Sequence, residues 1–126
     1  MAATIVALVD DLFFLAKIRE TAKAVGVIVA SIDFRRGPAA VAEAHPEAIF
    51  VDLNSRSVGA IDWIQALKSD PATQPIRIVG FASHVQNNLI SAARTAGCDS
   101  VMARSAFTQQ LPSLLESLVI DGDKKI

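Results

Sequence analysis

Short apolar segments alternate along the chain with segments in which apolar residues recur every three or four positions. The short segments are dense in β-branched and other apolar residues, which is typical of buried strands, whereas the longer period is typical of one face of a helix. The pattern therefore predicts five strands, each followed by a helix. The strands are expected at Thr4–Val9, Val27–Ile32, Ala48–Leu53, Ile76–Phe81 and Ser100–Ala103.

The first predicted helix has an apolar face along Leu15, Ile18 and Ala22. This face leaves Phe13 directed away from the core and Phe14 at its edge. An aromatic pair in such a place is either a local cover or a contact surface for a partner. We therefore predict that Phe13, together with Phe14, belongs to an interface with an unidentified protein or with a second copy of the chain.

The last predicted helix carries apolar residues from Phe107 to Leu118, with Pro112 near its start, where a missing N–H group costs least. Residues 121–126 are mostly polar. We expect one domain over residues 1–120 and a frayed polar tail over 121–126. No segment typical of DNA binding or catalysis follows Leu118, so output is expected from binding another protein, from dimerisation or from a domain outside this sequence.

The predicted strands are apolar without strict alternation, which indicates a sheet buried on both faces. Alternating strands and helices predict an α/β fold: a flavodoxin-like, doubly wound, five-stranded parallel sheet with five helices, in three αβα layers. In such a sheet, binding crevices lie outside the carboxyl ends of the strands, where the strand order reverses.

Composition narrows the classes of function. The 126 residues are 52% hydrophobic and carry a net charge of −1, which suits one globular domain and gives no reason to expect nucleic acid as a partner. The single Cys98 excludes an internal disulfide and a multi-cysteine zinc site. No apolar run is long enough to span a membrane, and the first residues lack a basic start, so we expect a cytoplasmic protein without a membrane partner.

Three carboxylates stand at the predicted carboxyl ends of strands. Asp10 and Asp11 follow the first strand, and Asp52 ends the third. These strands flank the expected switch point, so the three carboxylates should converge and repel one another. Mg²⁺ relieves such repulsion and prefers carboxylate oxygens and water. The alternative for Asp11 is that it caps the following helix.

This arrangement resembles the receiver domain of two-component response regulators. The resemblance covers nearly the whole chain and rests on the acidic pair after the first strand, on Asp52, and on Ala96-Gly97 ahead of the fifth strand. It implies that Asp52 is the phospho-acceptor of a partner histidine kinase or phosphotransfer protein. It also implies that Asp10, Asp11, Asp52 and the backbone carbonyl of Asn54 hold weakly bound Mg²⁺.

Two positions depart from the family's pattern in ways that affect switching. Ala82 stands where the family has a threonine or serine that bonds the phosphoryl group, and Val101 stands where it has an aromatic switch residue. Ser83 offers a hydroxyl one residue later. Neighbouring residues of an extended chain point to opposite sides, so we expect Ser83 not to substitute.

Arg104 stands where the family has a lysine, and Ser105 stands in place of the following proline. Arginine keeps the positive charge but is planar and forked, so it can pair with Asp52 or Asp11 and partly replace the metal. Without proline, the Arg104–Ser105 peptide bond should be trans.

We interpret the chain as a receiver domain that transmits a phosphorelay signal through protein–protein contacts, and not as an enzyme. Asp52 is the candidate phospho-acceptor, with Arg104 in place of the family lysine. The alternative is a phosphorylation-independent pseudo-receiver that serves as a docking or dimerisation module. A dinucleotide-binding enzyme is disfavoured, because the first strand is followed by acidic residues instead of a glycine-rich loop.

Overall fold

The computed structural model describes residues 3–55, 59–83 and 87–124. Within these ranges, five parallel strands form one sheet in the spatial order second, first, third, fourth, fifth along the chain. The predicted doubly wound parallel sheet is therefore confirmed. The strands are β1 (Thr4–Leu8), β2 (Ile28–Ala30), β3 (Ala48–Asp52), β4 (Arg77–Ala82) and β5 (Ser100–Ala103).

Helices cover both faces of this sheet and give the three predicted layers. Among the described residues, none of the helices has the length and apolar composition that crossing a bilayer requires. The helices are α1 (Leu12–Val25), α2 (Ala39–Ala44), α3 (Ala60–Ser69), α4 (Asn87–Ala96) and α5 (Arg104–Lys124), and a 3₁₀ turn spans Phe34–Arg36.

The alternation of side chains along the strands divides the core into two clusters. Ile5, Ala7 and Phe50 pack with α1 and α5, while Val6 and Ile49 pack on the opposite face with α2, α3 and α4. The first cluster contains stacked aromatic rings, whereas the second contains mainly aliphatic side chains. Each sheet face thus buries its own set of apolar residues, as a central parallel sheet requires.

The second strand is shorter than predicted. It covers Ile28–Ala30 and not Val27–Ile32, because it lies at the sheet edge and pairs with β1 alone. Ile28 is correspondingly exposed. The helix before it ends at a left-handed cap. Gly26 has a φ of 79°, which glycine adopts without strain, and donates its N–H to the carbonyls of Ala22 and Lys23.

The last helix differs from its prediction at both ends. It begins at Arg104, directly after β5, and extends to Lys124, so residues 121–124 continue the helix. Pro112 consequently lies in the helix interior, where proline removes one backbone hydrogen bond. Burial of Leu111 and Leu115 on either side of Pro112 offsets that loss. The Arg104–Ser105 peptide bond is trans, as predicted.

Candidate functional site

The acidic residues lie together at the carboxyl ends of β1 and β3, where the chain turns toward opposite faces of the sheet. Asp10 and Asp11 occupy the connection from β1 to α1, and Asp52 is the last residue of β3. The two strands are hydrogen-bonded neighbours in parallel register. The strand order therefore creates the predicted switch point, and the acidic residues stand at its edge.

Asp52 is the buried member of this group, with 7% of its surface exposed. Its Oδ1 accepts a hydrogen bond from the backbone N–H of Asn54 at 2.9 Å. Burial raises the pKa of Asp52, and the negative charges of Asp10 and Asp11 act in the same direction. The Asn54 N–H and the positive charge of Arg104 oppose that rise without cancelling it.

Asp11 is the exposed member and has fixed partners. Its Oδ1 accepts hydrogen bonds from the N–H groups of Phe13 and Phe14, at 3.0 and 3.1 Å, and so caps α1. Its Oδ2 accepts a hydrogen bond from Nη2 of Arg104 at 3.0 Å. These bonds hold the pKa of Asp11 below its usual value, the Phe14 N–H contributing most and Arg104 next. Asp11 thus caps α1, which was the alternative considered for this residue, and it is the one of the two carboxylates considered for Arg104 that pairs with it.

Arg104 is held from a second side by an aromatic ring. Its guanidinium carbon lies 4.0 Å from the centroid of the Phe14 ring. That ring packs in turn against Phe81 and Phe107, with centroid distances of 5.1 and 6.0 Å. A planar guanidinium can stack on a ring and bond a carboxylate at the same time. Arg104 is therefore seated between the Asp11 carboxylate and the aromatic part of the core.

Phe14 is a core residue, so its predicted place in an interface is wrong. It is 9% exposed and shares the buried face of α1 with Ile18 and Ala22. The spacing of four residues between these three positions brings them onto one helix face, and this spacing is the signal that would have identified Phe14. Phe13 is 90% exposed and Leu12 is 78% exposed, as expected of residues directed away from the core.

Asp10 contacts the loop after β3. The hydroxyl of Ser55 donates a hydrogen bond to Asp10 Oδ2 at 2.5 Å. Sequence analysis did not identify Ser55 as a site residue, because nothing in the sequence links two residues that are 45 positions apart. This contact ties the loop after β1 to the loop after β3.

Ser83 bonds Asn54, and no hydrogen bond to Asp52 is among its contacts within the described ranges. The Ser83 N–H and hydroxyl both donate to Asn54 Oδ1, at 2.7 and 3.1 Å. Ala82, which ends β4, is buried and brings no hydroxyl to the site. Val101 is partly buried within β5. The Ser83 hydroxyl, which is next to Ala82, thus bonds Asn54 and helps to join the loops after β3 and β4.

The residue types at this edge, carboxylates and a backbone carbonyl, are ones that suit Mg²⁺. Within residues 3–55, 59–83 and 87–124, no three acidic, histidine or cysteine side chains are placed to hold a metal ion together. Both oxygens of Asp11 are engaged, one in the helix cap and one with Arg104. Asp10, Asp11, Asp52 and Asn54 therefore lie at the same edge of the sheet, and Mg²⁺ binding by this set stays a prediction.

Comparison with known proteins rests on structure. No profile of a protein family matches the chain, and no curated protein matches its sequence. A chemotaxis response regulator of Vibrio cholerae superposes with a TM-score of 0.78 at 15% identity, over 94% of this chain and 99% of that one. A receiver domain from Rhodospirillum rubrum gives a TM-score of 0.73 at 17% identity, over 94% of each chain.

A third structure is the receiver domain of a sensor histidine kinase of Pseudomonas aeruginosa, which has a magnesium ion coordinated in its active-site cleft. It matches with a TM-score of 0.78 at 12% identity, over 94% of this chain and 98% of that one. In all three cases the match covers almost the whole of both chains. The protein therefore has the fold of response-regulator receiver domains.

Proposed function

We propose that this protein is a receiver module of two-component signalling that acts through protein–protein contacts, with Asp52 as its phospho-acceptor. One observation carries the proposal: a buried carboxylate with a raised pKa ends β3 at the switch point, beside a second acidic strand end and a guanidinium. Perturbed carboxylates in such clefts are typical of functional sites. In this proposal the chain receives a phosphoryl group and has no substrate of its own.

The proposed reaction transfers a phosphoryl group from a phosphohistidine. A carboxylate oxygen of Asp52 forms the new P–O bond while the P–N bond breaks, and the electron pair stays on the imidazole nitrogen, which then takes up a proton. A carboxylate with a raised pKa is the more nucleophilic when ionised. Arg104 is the cationic partner close enough to influence Asp52, and a guanidinium suits the forked oxygens of a phosphoryl group.

The proposed donor is a histidine kinase or a phosphotransfer protein. Leu12 and Phe13 form an exposed apolar pair at the first turn of α1, directly after Asp11. Burial of one such side chain in an interface contributes about 1.5–3 kcal/mol. This apolar pair stands next to the acidic residues and so supports docking of a partner over the phospho-acceptor.

The test is incubation with a small phosphodonor, with and without Mg²⁺, followed by intact mass measurement. The wild type should gain the mass of one phosphoryl group. Asp52→Asn should not, while Asp62→Asn, which changes an exposed carboxylate on α3, should behave as the wild type. Addition that persists in Asp52→Asn would assign the phosphoryl group to another residue and refute the proposal.

A second candidate function is a phosphorylation-independent docking module. It is favoured by the engagement of Arg104 with Asp11 and Phe14, and by Ala82 and Val101, which bring neither a hydroxyl nor an aromatic ring. This candidate predicts no phosphoryl addition under any of the conditions above. It also predicts that association through Phe13 persists in Asp52→Asn.

A further inference from the structure

Asp11 divides its hydrogen bonds between two partners, one for each carboxylate oxygen. One oxygen accepts the N–H groups of the first turn of α1, and the other accepts Nη2 of Arg104. A divalent cation that used Asp11 would have to take one of these oxygens. The capping oxygen is the costlier to release, because two backbone N–H groups would lose their acceptor. If the metal ion instead displaced Arg104 from Oδ2 of Asp11, the cap of α1 would stay intact.

The Arg104–Asp11 pair differs from an ordinary surface ion pair. Its two side chains are partly covered, at 30% and 43% exposure, and the guanidinium also rests on the Phe14 ring. Phe14 is itself packed against Phe81 and Phe107. An arginine oriented by a ring loses less conformational entropy on pairing than a free surface side chain does. The contact therefore presents a pre-positioned cation to the acidic edge.

Charge works in the same direction as geometry. Arg104 lowers the pKa of both Asp11 and Asp52, so its positive charge acts on both acidic strand ends. A divalent cation entering while Arg104 stayed in place would meet a like charge as well as an occupied ligand. Its binding and the Arg104–Asp11 contact are therefore expected to exclude each other.

We infer that Arg104 is the resident counter-ion of the acidic site and competes with divalent metal ions for the Asp11 carboxylate, which keeps the metal affinity of the wild type low. The arginine at this position is then a determinant of ion specificity. This inference does not depend on phosphorylation of Asp52, because it concerns only which cation neutralises the site.

The experiment is a titration with Mn²⁺ alone, followed by paramagnetic broadening of the backbone amide signals and by calorimetry. Arg104→Ala should bind Mn²⁺ roughly tenfold or more tightly than the wild type, a change equivalent to about 1.4 kcal/mol. Arg104→Lys should lie between them, because lysine keeps the charge but cannot stack and pair in the same way. Arg94→Ala, on the exposed side of α4, is the matched control and should titrate as the wild type.

A double variant identifies the ligand. Asp11→Asn retains a helix cap but removes the charge, so in the Arg104→Ala background it should abolish the gain in affinity. Equal affinities of the wild type and Arg104→Ala, including no binding by either, would overturn the inference. A gain that survives Asp11→Asn would overturn it as well.

The wild type provides an independent measurement should Arg104→Ala fail to fold. As Mg²⁺, which is diamagnetic, is added, the Nε–H signal of Arg104 and the ring signals of Phe14 should shift together with the amides that follow Asp10. Metal binding with both side-chain signals unchanged would show that the arginine remains on Asp11, and the inference would fail. Because none of these readouts uses a phosphodonor, they succeed or fail independently of the proposed function.

Discussion

Asp11 and Asp52 end neighbouring strands of one sheet, yet the protein treats their charges in opposite ways. Asp11 is exposed, bonds two backbone N–H groups and an arginine, and has a lowered pKa. Asp52 is buried, bonds one backbone N–H, and has a raised pKa. The comparison teaches that position at a strand end does not determine the state of a carboxylate. The loop and helix that follow the strand determine whether hydrogen bonds and an ion pair stabilise the ionised carboxylate or whether burial destabilises it.

The two sides also differ in what lies beneath them. We call Asp11, Arg104 and Phe14 the arginine side, and Asp52, Asn54 and Ser83 the acceptor side. The arginine side rests on the stacked rings of Phe81 and Phe107, whose centroids are 4.4 Å apart. On the acceptor side, the Asn54 amide oxygen accepts two hydrogen bonds from Ser83, and the Leu53 N–H donates to the Phe81 carbonyl at 2.9 Å. Aromatic packing thus supports the arginine side, whereas hydrogen bonds between loop and strand ends support the acceptor side.

The largest expected effect comes from removing the support of the arginine side. Phe107 is fully buried and packs against Phe14, Phe50 and Phe81. Phe107→Ala should lower the free energy of unfolding by about 3–5 kcal/mol, because a large buried ring leaves a cavity. It should also release Phe14 and the Arg104 contact, which denaturant unfolding and the Arg104 Nε–H signal would report.

The matched control for Phe107→Ala lies on the opposite face of the sheet. Leu67→Ala should destabilise by about 2–5 kcal/mol through the aliphatic cluster, with the Arg104 signal unchanged. If both variants disturbed Arg104 equally, the arginine side would have no special dependence on the aromatic rings.

A smaller effect separates the two roles of Asp11. Asp11→Ala removes both the helix cap and the ion pair, and loss of the cap alone costs about 0.5–2 kcal/mol. Asp11→Asn keeps a capping oxygen and should retain most of that stability, so the difference between the two variants measures the cap. Thermal unfolding at neutral pH is the measurement. Equal losses in the two variants would mean that the ion pair, and not the cap, carries the contribution of Asp11.

The opposite pKa shifts predict opposite dependence on pH. The stability that Asp11 provides is present above its ordinary pKa of 3.8 and is lost as the pH falls through its lower folded value. The pKa of Asp52 is higher in the folded state than in the unfolded state. Ionised Asp52 therefore lowers the free energy of unfolding, and this loss of stability appears as the pH rises from 3.8 through the folded pKa.

Asp52→Asn should therefore be more stable than the wild type at neutral pH, with an advantage that shrinks toward zero as the solution is acidified below 3.8. Denaturant midpoints of the two proteins across this range test the sign. If Asp52→Asn were less stable than the wild type at neutral pH, burial of the ionised Asp52 carboxylate would not destabilise the folded protein, and the prediction would be wrong.

The smallest effect on stability is expected at the exposed apolar pair. Phe13→Ser should change the free energy of unfolding by less than about 0.5 kcal/mol, because the ring is directed away from the core. It should nevertheless weaken self-association or partner binding, which sedimentation or a binding titration would measure. Phe14→Ser is the internal comparison and should be strongly destabilising, since that ring is buried.

The bounds of β5 and the ion pair of Arg104 with an acidic strand end could both be predicted from the sequence, the first from local pattern and the second from topology. β5 has the predicted bounds, since its apolar segment stands between Gly97 and a charged residue. The ion pair between Arg104 and an acidic strand end followed from topology, which brings the carboxyl ends of parallel strands to one edge.

Other features depend on tertiary packing that local pattern does not encode. The four-residue spacing of Phe14, Ile18 and Ala22 indicates a shared helix face, but the contact of the Phe14 ring with Phe107 of α5 depends on how the two helices pack. The Ser55–Asp10 contact joins two loops and leaves no periodic trace in the sequence. The three carboxylates were expected to share one metal ion, whereas in the structure Oδ1 of Asp11 caps α1 and its Oδ2 pairs with Arg104.

Pro112 lies in the middle of α5, and we expect the two parts of the helix on either side of it to open separately. Without an N–H group at this position, the backbone ladder lacks one bond in the middle of the helix, and cooperative opening tends to end at such a gap. The first part contains Arg104 and Phe107, so it is anchored on the aromatic rings. Amide hydrogens after Pro112 should then exchange with deuterium well before those of Phe107 and Thr108, and fluctuations at the end of the helix should leave Arg104 undisturbed.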